Sequence, residues 1–279
     1  MTFKSLVAVA GGLPEDRAVL TAAARLAAAF GGAAEALPAF GDPAADYAAV
    51  GIALSGGAGG ATLEKIRASE RTTQEQIEAL AAEITGSERA PVRVLARELV
   101  PAAALARATV LGDLVVFGAG AASEATALRA MFAETLIANR APALVVKSGD
   151  FDVNGRIAVA WDASPQAGRA VRAALPLLLC ASEIVIIQCA ADLGAYARAG
   201  ADPVRLRDYL ALHGAKTVRI ASAEGANVNE ALLRAASGAG AGLIVAGAYG
   251  HPRFFELALG GTTQALIKPG AQPHVLLAH

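Results

Sequence analysis

Leu243-Ile244-Val245-Ala246 runs into Gly247-Ala248-Tyr249-Gly250; nine residues later come Gly260-Gly261-Thr262-Thr263, and then His274-Val275-Leu276-Leu277. Apolar run, glycine turn, second glycine turn and closing apolar run read as strand, loop, helix start and strand. Glycines at such a turn let backbone approach a ligand, because no Cβ intervenes. A helix that begins there presents unpaired N–H groups and a partial positive charge, which suits phosphate. The stretch therefore predicts an anion or nucleotide site at the end of a parallel strand.

Working outward, the second half repeats this alternation. Arg156–Trp161, Glu183–Gln188 and Lys216–Ala221 read as strands. Helical spacing over Pro165–Cys180, Pro203–His213 and Asn229–Ser237 separates them, with Pro165 near a first turn and Gly214 and Gly238 as stops. The order βαβαβαβαβ predicts a parallel sheet covered on both faces. The first half follows the same plan. Leu6–Ala10, Val92–Leu95, Asp113–Phe117 and Pro142–Val146 read as strands, and Arg17–Phe30 and Thr62–Ile84 as helices. Both closing strands, Pro142–Val146 and Pro273–Leu277, start at a proline, which a strand tolerates at its first residue. The expected organisation is two homologous units, residues 1–148 and 156–279, joined by a polar linker at 149–155. Ser55–Gly60 reads as a mobile glycine-rich loop.

The 279 residues are 55% hydrophobic and 5% aromatic, and alanine supplies much of the apolar content. Such a chain suits Ala-lined helices packed on a Val/Ile/Leu sheet. The net charge of -1, without a long basic run, argues against a nucleic-acid partner. No segment supplies the roughly 18 unbroken apolar residues of a membrane helix. The best candidate, 170–187, is interrupted by Arg172, Pro176, Ser182 and Glu183. The N-terminus carries no signal-peptide pattern, so a cytoplasmic location is expected. Cys180 and Cys189 fall at a helix end and a strand end without CxxC spacing, and read as two packed thiols.

Four stretches resemble the universal stress protein family in its tandem form. They are Ile157–Pro165 with its Asp-x-Ser turn, Val245–His251, Leu259–Thr262 and Pro273–Leu277. The Gly247-x2-Gly250-x9-Gly260 spacing is similar to the family's glycine pattern. The likeness is stronger over residues 156–279 than over 3–147.

The resemblance implies two Rossmann-like five-stranded parallel sheets of order 3-2-1-4-5, with a ligand crevice where the order reverses. It also implies ATP or a related adenine nucleotide, with Mg2+, in the second unit. Asp162, Ala163, Gln188 and Cys189 would lie at the base, the last two through their main chain. Gly247, Gly250, Arg253, Gly260, Gly261 and Thr262 would lie at the ribose and phosphates. The two units would pack through their last strands as an intramolecular version of the family's dimer, and a further homodimer is open.

Two departures stand out. Gly261 occupies a position that carries Ser or Thr in ATP-binding members, and a lost hydroxyl hydrogen bond weakens binding by roughly 0.5–1.5 kcal/mol. In the first unit, Ala10-Gly11-Gly12 carries no aspartate, and Arg129-Ala130-Met131-Phe132 replaces the later glycines. That unit is expected to bind no nucleotide.

Other signals read as structural. Gly118–Ser123 is close to GxGxxG, but it follows a fourth strand and Glu134 does not supply the required acidic residue. There is no P-loop sequence. His213, His251, His274 and His279 lack metal-ligand spacing, and Trp161 reads as a packing residue. Ser164 reads as a helix cap. No general base is evident, so slow ATP hydrolysis is the most that enzyme activity would amount to. The competing class is a module that binds a protein partner or another small ligand.

Overall fold

The computed structural model describes residues 2–39, 51, 59–96, 98, 100–123, 127–147, 150–189, 201–225, 227–248, 261–270 and 273–279. In the first half these form β1 (Ser5–Ala10), α1 (Asp16–Phe30), β2 (Ala33–Pro38), α2 (Gly59–Glu88), β3 (Val92–Val94), α3 (Pro101–Thr109), β4 (Leu114–Gly118), α4 (Ala119–Ser123), α5 (Ala127–Ile137) and β5 (Ala143–Val146). The second half contributes β6 (Ile157–Ala160), α6 (Pro165–Cys180), β7 (Ile184–Cys189), α7 (Pro203–Leu212), β8 (Val218–Ala223), α8 (Val228–Gly238), β9 (Leu243–Gly247), α9 (Gly261–Ile267) and β10 (His274–Ala278).

The strands form one ten-stranded sheet of order β3-β2-β1-β4-β5-β10-β9-β6-β7-β8. Each half thus has the expected 3-2-1-4-5 order, with parallel neighbours throughout. The halves meet at an antiparallel pair, with Val145 opposite Val275 and Leu144 opposite Leu276. The helix α9 also reaches across to α4 of the first half.

Strand residues alternate between two cores, as the period of two demands. Leu6, Leu114, Leu144, Ile157, Ile184, Leu243 and Leu276 face one layer, containing α1, α2, α6 and α7. Val7, Val115, Val145, Ala158, Val185, Ile244 and Val275 face the other, containing α3, α4, α5, α8 and α9. Burial on both faces explains why central strands such as β4, β5 and β9 read as unbroken apolar runs, whereas the edge strands β3 and β8 carry Arg93 and Arg219.

Three sequence readings need correction. Gly59 and Gly60, taken as loop, open α2; the preceding part of that loop, 55–58, lies outside the described residues. Cys189 is buried as expected, but Cys180 is exposed because α6 ends there at the surface. The connecting stretch is not simply solvated, since Phe151 and Val153 are buried in the core on the α1 side. Arg25 of α1 ties it down, pairing with Glu88 at 3.2 Å and Asp150 at 3.1 Å.

That stretch also meets His274, the first residue of β10, which is 1% exposed. Its Nδ1 accepts from the Lys147 N–H at 3.2 Å, which leaves Nε2–H to donate to the Asp150 carbonyl at 3.4 Å. Phe151 packs on the ring at 5.5 Å. Burial first, and then the nearby Lys147 ammonium, hold the imidazole below its usual pKa, against the Asp150 hydrogen bond. The folded state therefore takes up its proton at lower pH than the unfolded chain. Stability from this group is full above the unfolded value, near pH 6.5, and is lost as pH falls from there toward the folded pKa. We expect urea midpoints to drop between pH 7.5 and 5.5, and His274→Asn to flatten that slope. An equal slope in the variant would assign the effect to other groups.

Candidate functional site

In the second half the strand order reverses between β6 and β9, which pair in parallel with Val159 beside Val245. Ligands of open α/β sheets bind beyond the carboxyl ends of strands at such a point. Asp162 follows β6, and Gly247 ends β9. Asp162 and Gly247 therefore stand at the ends of neighbouring strands where the order reverses.

The turn after β6 is built locally. Asp162 Oδ1 accepts from the Ser164 N–H at 2.8 Å. Ala163 takes a left-handed conformation, with φ of 59°. Ser164 then caps α6, its Oγ accepting from the Ala167 N–H at 3.1 Å, and Pro165 begins the helix. The positive end of a 16-residue helix is thus directed at the crevice. A Cβ on Gly247 would lie 2.6 Å from the Ala167 nitrogen and 2.8 Å from the Gln166 carbonyl carbon. Only glycine lets β9 end so close to the first turn of α6.

Beside this lie Gln188 and Cys189, at the end of β7, where the Trp161 N–H donates to the Ile187 carbonyl at 2.9 Å. The Gln188 side chain is used internally, donating to the Ala201 carbonyl, and the Cys189 thiol is buried in the core. Trp161 packs against the core on the α6 side, as expected, although its Nε1 is buried without a hydrogen-bond partner among the described residues. Gly261 and Thr262 form the first turn of α9. Gly250, Arg253, Gly260 and His251 lie outside the described residues.

His279 was not singled out as a site residue. Its Nδ1 bonds the Ala248 carbonyl at 3.1 Å, while the Ala248 N–H donates to the Ala278 carbonyl at 2.9 Å. Together they anchor the loop just past Gly247. No sequence signal marks this contact, because it joins residues brought together only by the β9–β10 pairing.

The corresponding crevice of the first half contains an aspartate that the sequence reading missed. Asp16, in the first turn of α1, turns back so that its carboxylate accepts from the N–H groups of Gly11, Gly12 and Leu13, at 3.2, 2.8 and 3.2 Å. Burial pushes this carboxyl above its usual pKa, against the pull of those three bonds, and the neighbouring Glu15 adds to the rise. Of the bulky residues expected to fill this region, Met131 and Phe132 are buried in the core instead, with Phe132 edge-on against Phe117 at 5.3 Å. Among the described residues no cluster of three or more His, Cys, Asp or Glu could hold a metal. An open groove of about 580 Å³, lined by Arg25, Glu88 and the stretch 150–154, lies away from both crevices.

The fold is a tandem doubly wound α/β protein, with one switch-point crevice per half. Solved structures carry the same arrangement over the whole chain. A candidate universal stress protein from Pseudomonas aeruginosa UCBPP-PA14 is 12% identical with a TM-score of 0.59, covering 99% of this chain and 93% of that one. A functionally unknown protein from Pseudomonas aeruginosa PAO1 is 12% identical with a TM-score of 0.57, covering 99% and 92%. A universal stress protein in complex with cAMP is 22% identical with a TM-score of 0.36, covering 46% of this chain and 99% of that one. No protein-family model and no curated protein matches the sequence. The chain has the tandem universal stress protein fold.

Proposed function

We propose that this chain is a universal stress protein that binds an adenine nucleotide, ATP with Mg2+, in the second-half crevice. The observation that carries the reading is the meeting of Asp162, the α6 N-terminus and Gly247 at the strand-order reversal. The glycine spacing onward from Gly247 supports it, since backbone N–H groups do most of the phosphate holding in such loops. In this reading residues 1–148 and 156–279 are two units closed through β5 and β10 like a dimer within one chain, and the first unit is structural. Gly261, which lacks a hydroxyl, favours a second reading: a module that takes a protein partner or another small ligand. No helix among the described residues is long and apolar enough to cross a membrane.

Thermal melting with Mg-ATP, ADP, AMP and GTP tests the reading. Ligand that binds only the native state stabilises it by mass action, about 2.7 kcal/mol at a hundredfold excess over Kd. An adenine-specific rise is expected. In Asp162→Ala the ATP affinity should fall at least about tenfold, roughly 1.4 kcal/mol. Melting without nucleotide must accompany it, because Asp162 also holds the Ser164 N–H. The absence of any nucleotide shift would favour the second reading.

A further inference from the structure

The sheet register aligns the two crevices residue by residue. Leu6 pairs with Leu114 as Ile157 pairs with Leu243, so β1 matches β6 and β4 matches β9. Counting onward, Gly12 falls on Ala163, and both are left-handed, with φ of 73° and 59°. Pro14 falls on Pro165, Glu15 on Gln166, Asp16 on Ala167 and Gly118 on Gly247. The first half therefore carries two carboxylates where the second carries a neutral amide and a methyl group.

Both carboxylates lie in the crevice. Asp16 consumes the three N–H groups of the β1 turn, which would otherwise face an anion. Glu15 caps α1 in position only, because its side chain makes no capping bond. Instead it lies across the end of β4. A Cβ on Gly118 would overlap its Cγ, and a Cβ on Gly120 would overlap its Oε1. Leu128 and Thr73 close the remaining approach, at 2.8 Å from a Cβ on Gly11 and 2.6 Å from one on Gly12.

We propose that Glu15 and Asp16 are the selectivity determinants of this tandem chain: they occupy the first crevice in place of an anionic ligand, so that only the second crevice is open to one. The proposal takes up the reading of the switch-point crevice as an anion site, and assigns the difference between the halves to this pair. An incoming phosphate meets a filled space, spent donors and two acidic side chains.

Exchanging the pair for its second-half counterparts, E15Q/D16A, tests it in the full chain. The probe is inorganic pyrophosphate, read at the backbone amides of Gly11, Gly12 and Leu13 by NMR. Wild-type amides should stay in place at millimolar pyrophosphate. In the double variant they should move saturably, with affinity at least about tenfold tighter than wild type. If loss of Asp16 prevents folding, E15Q alone carries the test, because it keeps Asp16 and removes one charge. The Gly118 and Gly120 amides should then move saturably at millimolar pyrophosphate, where the wild-type amides stay in place. Saturable binding at these amides in wild type would overturn the proposal. So would a folded double variant that stays unresponsive or, if that variant does not fold, an unchanged E15Q titration. ATP added to the wild-type chain and read at Gly247 and Ala248 tests the second-half reading separately, so either can fail alone.

Discussion

Leu276→Ala should destabilise the protein by about 2–5 kcal/mol, the range for deleting a large aliphatic side chain from a packed core. Leu276 is fully buried in β10, between Leu144 of β5 and Val245 of β9. It contributes to the core that runs beneath α1 and α6, so the cavity would open at the seam between the halves. The seam also predicts how the loss is distributed. Trp161 is the chain's one tryptophan and lies in the second half, so its fluorescence reports that half, whereas far-ultraviolet circular dichroism reports both. Urea unfolding followed by the two signals should give coincident curves, shifted together by the substitution. A fluorescence transition that moves while part of the dichroism transition remains at its wild-type midpoint would mean that the halves unfold independently across the β5–β10 pair.

The second large effect is expected at Gly247→Val. The added Cβ would press on the backbone of Ala167 and Gln166, which cannot rotate aside as a side-chain tip can. Overpacking of this kind costs typically 1–3 kcal/mol, occasionally more. In a chain of 279 residues each kcal/mol corresponds to roughly 2–4 °C or less of melting temperature. The relief available is to push the first turn of α6 away from β9, which would also displace Asp162 and its bond to Ser164. Gly238→Ala is the matched control. Gly238 ends α8, and nothing lies within 4 Å of a Cβ built there. Alanine at that position should leave the melting temperature unchanged or raise it slightly. Equal losses from the two substitutions would contradict the close approach of β9 and α6.

Several elements were legible for identifiable reasons. β1, β4, β7, β9 and β10 are runs of Val, Ile and Leu because both sheet faces are covered. Ser164-Pro165 announces α6 because a hydroxyl cap followed by proline meets the needs of a helix start. Others were not legible. The second strand, Ala33–Pro38, reads Ala-Ala-Glu-Ala-Leu-Pro and contains no β-branched residue, yet it pairs along its whole length with β1. Its state is set by burial between neighbours, which overrides intrinsic preference. The helix α3 is likewise not legible in a segment dominated by alanine, where neither period stands out. Phe151 and Val153 looked like linker because their neighbours are polar, but two apolar side chains are enough to bind the stretch into the core.

By itself the sequence determined the alternation of strands and helices, the two-fold repetition and the placing of Asp162 and Gly247 at strand ends, because these follow from local periodicity and turn chemistry. Only the tertiary structure decided that β5 and β10 pair antiparallel into one sheet. It alone revealed that Asp16 takes the N–H groups of Gly11, Gly12 and Leu13, that Glu15 lies against Gly118, and that His274 is held between Lys147 and Asp150. Those contacts join residues far apart in the chain, or depend on which way a side chain turns. Such choices are settled by packing and by the pairing of most buried polar groups, and neither leaves a periodic trace in the sequence.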